Sequence, residues 1–192
     1  MGAARQVGQG CGGGAVGRMR SCYNLTFGRK VAMKVNPKHV EALLRLINRG
    51  PYFELLSMEV CELSRGYSRV ETVLEKKHMN PFGAIHGGAY SSILDTAAYW
   101  SAYCELDEDV GFTSIDLSVS NLSMVDRGRI IAEGRSLKVG RSICLTEASV
   151  KDTHGKLLAY GTSKLMVLKG RQSIKHVLET IGGDALPPKF ID

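Results

Sequence analysis

Residues 88–104 read GAYSSILDTAAYWSAYC, and no other segment constrains the chain as much. The stretch is apolar around most of its helical circumference, rich in small side chains, and holds one ionisable group, Asp95. A helix without a solvated face must be covered on all sides, so the rest of the chain has to wrap around it. A lone carboxylate in such a helix is costly unless it is hydrogen-bonded or put to use, and burial lifts its pKa. Asp95 is therefore either a structural acceptor for a neighbouring loop or a reactive group.

The flanking sequence supplies the wrapping. Downstream, residues 113–122 alternate, with Ile115, Leu117 and Val119 expected on one face. Residues 129–139 and 141–151 read as strands joined by a tight turn at Gly140, and 156–168 as one more. Upstream, 53–63 and 67–76 read as two strands around the Ser64-Arg65-Gly66 turn. Asn36-Pro37 opens a helix over 37–49 whose Val40, Leu43, Leu44 and Ile47 share a face, with Gly50-Pro51 as its stop. Ile174, Val177, Leu178 and Ile181 mark a last helix over 171–182. The expectation is one α+β domain with an antiparallel sheet. Its parts are a tail over 1–34, a main domain over 35–170 and a C-terminal helix and tail over 171–192.

Composition removes several function classes. At 192 residues, 44% hydrophobic and 23% charged, the chain is an ordinary globular one, and no apolar run is long enough to span a membrane. Cys11, Cys22, Cys61, Cys104 and Cys144 form no CxxC pair and no metal-ligand spacing, which suits a reducing compartment and leads us to expect a cytoplasmic protein without metal. The net charge of +6 lies wholly in the tail, in Arg5, Arg18, Arg20, Arg29, Lys30 and Lys34. The rest of the chain balances 19 acidic side chains with as many basic ones, so neither nucleic acid nor a membrane surface is an expected partner. The glycine-rich tail reads as a disordered basic extension, as a start upstream of the true one at Met19 or Met33, or as a targeting segment.

His86-Gly87-Gly88 puts two glycines at the start of the buried helix, where N–H groups lack intrahelical partners and the helix dipole is positive. That is a site for a carbonyl oxygen developing negative charge, or only a tight turn. Asp95 follows Gly87 by eight residues, roughly 12 Å along one helix, too far for both to act on one carbon. If both act, Gly87 of one subunit must meet Asp95 of another across a two-fold axis, which requires a homodimer.

The run Asn80-Pro81-Phe82-Gly83-Ala84-Ile85-His86-Gly87-Gly88 followed by Asp95 resembles the N-x-x-G-x-x-H-G-G-(x)6-D signature of hotdog-fold acyl-CoA thioesterases, in the phenylacetate-degradation subgroup. The likeness extends over about 53–168, through Thr113-Ser114-Ile115-Asp116, Gly134 to Gly140-Arg141, and Asp152 to Gly161-Thr162. It implies an antiparallel sheet of five or six strands wrapped around a long central helix, here with extra N- and C-terminal helices, assembled as a homodimer and as a dimer of dimers. It implies hydrolysis of acyl-CoA without a cofactor. By resemblance, the Gly87 N–H polarises the thioester carbonyl and Asp95 is nucleophile or general base. Asn80 then orients thioester or water, Ser114 helps hold the water, and His86 supports the loop. Gly88 and the turn carrying Lys138, Gly140, Arg141 and Ser142 are the candidates for binding CoA, Arg141 foremost; an ordinary solvated hairpin turn is the alternative. The rival from another class is an acyl-CoA-binding sensor without turnover. A hotdog hydratase would want an Asp two residues before Asn80-Pro81, where His78 stands. No G-x-S-x-G elbow offers a serine nucleophile.

Overall fold

The computed structural model describes residues 33–181 and 183–192. The expected tail lies outside them except at its end, where Lys34 belongs to a short strand, β1 (Lys34–Val35). Helix α1 (Pro37–Ile47) starts where Asn36 caps it by accepting a bond from the Lys38 N–H at 3.1 Å, and its Leu43 is fully buried. Asn48 ends it and clamps onto a strand, donating to the Val60 carbonyl at 3.0 Å and accepting from the Val60 N–H at 2.9 Å.

Here the sequence reading needs correction: the strand read over 67–76 ends at Val73, and Lys76–His78 form a 3-10 turn. Residues 53–57 are not strand: Pro51 opens a second helix, α2 (Pro51–Leu55), with Gly50 as its N-cap. Proline at the first helical position loses no hydrogen bond, so the residue read as a stop for one helix is the start of another. Strands β2 (Met58–Ser64) and β3 (Tyr67–Val73) follow as a hairpin, then the central helix α3 (Gly87–Ser101). The chain continues through β4 (Val110–Asn121), β5 (Arg129–Val139), β6 (Ile143–Asp152), β7 (Leu157–Lys169), α4 (Ile174–Ile181) and β8 (Phe190–Ile191).

Six strands form one antiparallel sheet in the order β2-β3-β5-β6-β7-β4. Helix α3 carries the chain from β3 across the sheet to its far edge, where, among the described residues, β4 pairs only with β7. It touches every strand on the way. The close approach depends on small residues: Ala97, Ala98, Ala132, Ala148 and Ala159 are all buried at the contact. It is tightest at Gly134, where a Cβ would lie 2.0 Å from the Ala97 carbonyl oxygen. Ser68 donates to that same oxygen at 2.5 Å, so sheet and helix are bonded as well as packed.

The C-terminal segment folds back to the start of the domain. β8 pairs with β1, Asn36 donates to the Pro188 carbonyl at 2.7 Å, and the His39 ring bridges the Pro187 carbonyl (2.6 Å) and the Tyr103 hydroxyl (2.7 Å). Lys189 is 0% exposed, with its Nζ 3.7 Å from the centre of the Tyr103 ring and donating to the Leu106 carbonyl at 2.8 Å.

Candidate active site

Asp95 sits halfway along α3, partly buried, on the side that faces the edge strand. Its Oδ1 accepts a hydrogen bond from Ser114 Oγ at 2.9 Å. That contact depends on a β-bulge. Ser114 pairs with Leu165 and Asp116 with Lys164, leaving Ile115 as an extra residue without a partner in β7. The expected alternation of Ile115, Leu117 and Val119 is broken there, and Ser114 joins Leu117 and Val119 on the helix side. Bulges re-aim side chains at the cost of one ladder position.

A cavity of about 680 Å³ opens over Asp95, lined by α2, α3 and β4. Its walls are largely aromatic and aliphatic: Phe53, Tyr99, Trp100, Ile115 and Leu117. Burial pushes the Asp95 carboxyl above its ordinary value, and the Ser114 bond works against that push. Tyr99 donates to the Phe112 carbonyl at 3.0 Å and is pushed up to about 12, by burial first and then by the Asp95 charge.

The helix N-terminus forms a second centre. His86 is the N-cap of α3, its Nδ1 accepting from the Gly88 N–H at 2.9 Å. That bond occupies the Gly88 N–H, while Gly87 is first in the helix, where a backbone N–H has no intrahelical acceptor. A Cβ on Gly87 would lie 2.8 Å from Asn121 Nδ2. Asn80 holds the preceding loop: its Oδ1 accepts from the N–H groups of Phe82 (2.9 Å) and Ala84 (3.2 Å), and its amide reaches the Ile85 carbonyl at 3.5 Å. Only that amide, weakly engaged, is free to orient a ligand.

Within one chain these two centres do not meet. Gly87 lines a separate cavity of about 260 Å³ with Asn121 and Tyr90, on the same helix as Asp95 but two turns away. Lys138, Gly140, Arg141 and Ser142 form the exposed end of the β5–β6 hairpin and line neither cavity. Register sets that turn at the Ser114 end of the sheet: Ser114 pairs with Leu165, and Leu165 with Cys144. Two strand spacings, about 10 Å, separate them.

Sequence reasoning missed Asn121, Tyr52 and Phe53. Asn121 lies near the end of the 113–122 strand, where nothing in the sequence marks it as lying against Gly87. The α2 pair was hidden by reading Pro51 as a terminator, although Gly-Pro followed by helix-compatible residues was the available signal.

The class is set by this architecture: a single long helix gripped by a six-stranded antiparallel sheet is a hotdog fold. Residues 82–159 match the model of the family described as Thioesterase superfamily. A 1,4-dihydroxy-2-naphthoyl-CoA hydrolase from Listeria monocytogenes is 24% identical over 119 residues, 62% of this chain and 97% of that protein. Acyl-coenzyme A thioesterase 13 of Mus musculus is 22% identical over 128 residues, 65% of this chain and 91% of that one. Among solved structures, a thioesterase from Haemophilus influenzae shares the fold with a TM-score of 0.64 at 21% identity, covering 68% of this chain and 91% of its own.

Proposed function

We propose that this protein hydrolyses acyl-CoA thioesters to the free acid and CoA, through a site completed by a second subunit. One observation carries the reading: a partly buried carboxylate, bonded by Ser114 on one oxygen, faces an apolar cavity of the size that takes a small-molecule ligand. In the base form of the mechanism, Asp95 takes a proton from water, the water oxygen bonds to the thioester carbon, and the C–S bond breaks. The proton then passes to the departing thiolate. In the nucleophile form, the free Asp95 oxygen bonds to the thioester carbon and the C–S bond breaks, releasing CoA thiolate. Water then cleaves the resulting mixed anhydride to the free acid and the Asp95 carboxylate, and its released proton passes to the thiolate. In both, the Gly87 N–H of the other subunit stabilises the oxyanion.

The dimer reading is supported by β4, twelve residues long with a free edge. Exposed edges of that length call for a partner. Antiparallel pairing of two β4 strands about a two-fold axis runs the Ser114 end of one toward the Asn121 end of the other, and so Asp95 toward Gly87. Ile143, Leu145 and Met166, exposed on the sheet's outer face, support pairing of dimers into a tetramer. Cys104 and Cys144, buried as free thiols, fit a reducing, cytoplasmic setting.

The test is thiol release from a panel of aryl- and alkyl-CoA esters by wild type and Asp95→Asn. Hydrolysis by the wild type and a loss of about 100-fold or more in the near-isosteric variant is the expected outcome. CoA-ester binding without turnover by the wild type favours the sensor reading instead.

A further inference from the structure

Two of the cavities along α3 are neighbours that share lining residues. The Asp95 cavity lies on one side; on the other is a cavity of about 440 Å³ bounded by Leu56, Met79, His86 and Gly88. Tyr52 and Ser92 line both. Their hydroxyls are 2.6 Å apart, and Ser92 Oγ also lies 3.0 Å from the Gly88 carbonyl. A serine hydroxyl has one proton, and a carbonyl can only accept, so Ser92 donates to Gly88 and accepts from Tyr52. The phenol is thus tethered by its own proton to Ser92, in the second turn of α3, where Tyr52 borders both cavities. At 54% exposed, Tyr52 owes this placement to the tether and not to core packing.

We propose that Tyr52 is a specificity-determining residue that ends the acyl site and restricts it to compact acyl groups. This rests on the acyl-CoA reading of the Asp95 cavity. With the ring in place, an acyl group entering past Asp95 meets Phe53, Tyr99 and Trp100 and then stops. Without it, the chain runs on into the second cavity, whose Leu56, Met79 and Ala89 offer apolar surface.

The experiment compares kcat and KM for hexanoyl-CoA and palmitoyl-CoA in wild type, Tyr52→Ala, Tyr52→Phe and Ser92→Ala, with circular dichroism to verify folding. Tyr52→Ala should raise the palmitoyl-to-hexanoyl ratio of kcat/KM by about tenfold or more, chiefly through a lower palmitoyl KM. Tyr52→Phe, which keeps the ring, should change the ratio less, and Ser92→Ala should fall between. An active wild type and a folded Tyr52→Ala with an unchanged ratio would overturn the partition. If no protein turns over an ester, the acyl-CoA reading has failed, and calorimetric binding of hexanoate and palmitate to wild type and Tyr52→Ala then decides the partition separately. Tighter palmitate binding by the variant upholds it, and equal binding refutes it.

Discussion

Asp95 holds its charge in a place that favours the neutral acid, and Ser114 pulls in the opposite direction by bonding the ionised form. If the carboxylate is the working species, activity falls on the acid side as Asp95 takes up a proton. Ser114→Ala removes the opposing pull, so the acid limb of kcat/KM should move to higher pH, while a purely structural serine would leave it in place. The pH profile of the two enzymes on one ester decides this. The same shift bears on stability. A carboxyl whose folded pKa is raised favours folding most when protonated, and that contribution is lost as pH climbs from the ordinary aspartate value through the folded one. The neutral amide of Asp95→Asn should therefore unfold at a higher temperature than wild type at neutral pH, with the advantage shrinking in acid. Such a trade of stability for reactivity is what a functional carboxylate predicts.

At the level of elements, everything turns on how closely α3 lies against the sheet. Gly134→Ala would drive a methyl group into the Ala97 carbonyl and crowd the Ser68 hydroxyl that bonds it. It should destabilise the domain by ~3 kcal/mol, measured by chemical denaturation, because the backbone of a packed helix cannot step aside as a flexible side chain can. The lack of any polar face on residues 88–104 made this helix and its burial legible in sequence, and alternation made the strands so. The Asp95–Ser114 pairing could be named only through resemblance, since a bulge has no periodic signature and the pattern pointed to Ile115 instead. Pro51 is ambiguous for a related reason: its fixed φ suits the end of one helix and the start of the next, and only the packing of Phe53 against the core and the Tyr52–Ser92 bond choose between them. Asn121 was invisible because its importance lies in lying against Gly87, a distant position in sequence.

Among the described residues, β4 is one long open edge, and β1 and β8 close one corner. Charging the edge with Ser118→Lys and Ser120→Lys sets lysines against their own copies across the two-fold axis. Light scattering should then report monomers, with hydrolysis lost although Asp95 and Ser114 are untouched; a fully active monomer would remove the shared-site reading. The corner is where Lys189 lies buried against Tyr103, its amine pushed down to about 8, mainly by burial, with Cys104, Glu108 and Asp107 pulling upward. A lysine with a lowered folded pKa weakens the fold while charged in both states. That penalty is relieved as pH rises from about 8 toward the ordinary value of 10.5. Relative to Lys189→Met, wild type should gain stability across that window in denaturant titrations at stepped pH. The corner also has a mechanical meaning. Lys34 pairs with Ile191 and Val35 with Phe190, so both chain ends leave the same end of a two-rung ladder. Tension applied to the two ends loads those rungs one after the other, as in a zip, and not together in shear. An unfolding motor gripping the C-terminal end would peel this corner first and meet the six-stranded sheet only after Lys189 had been drawn out of its pocket.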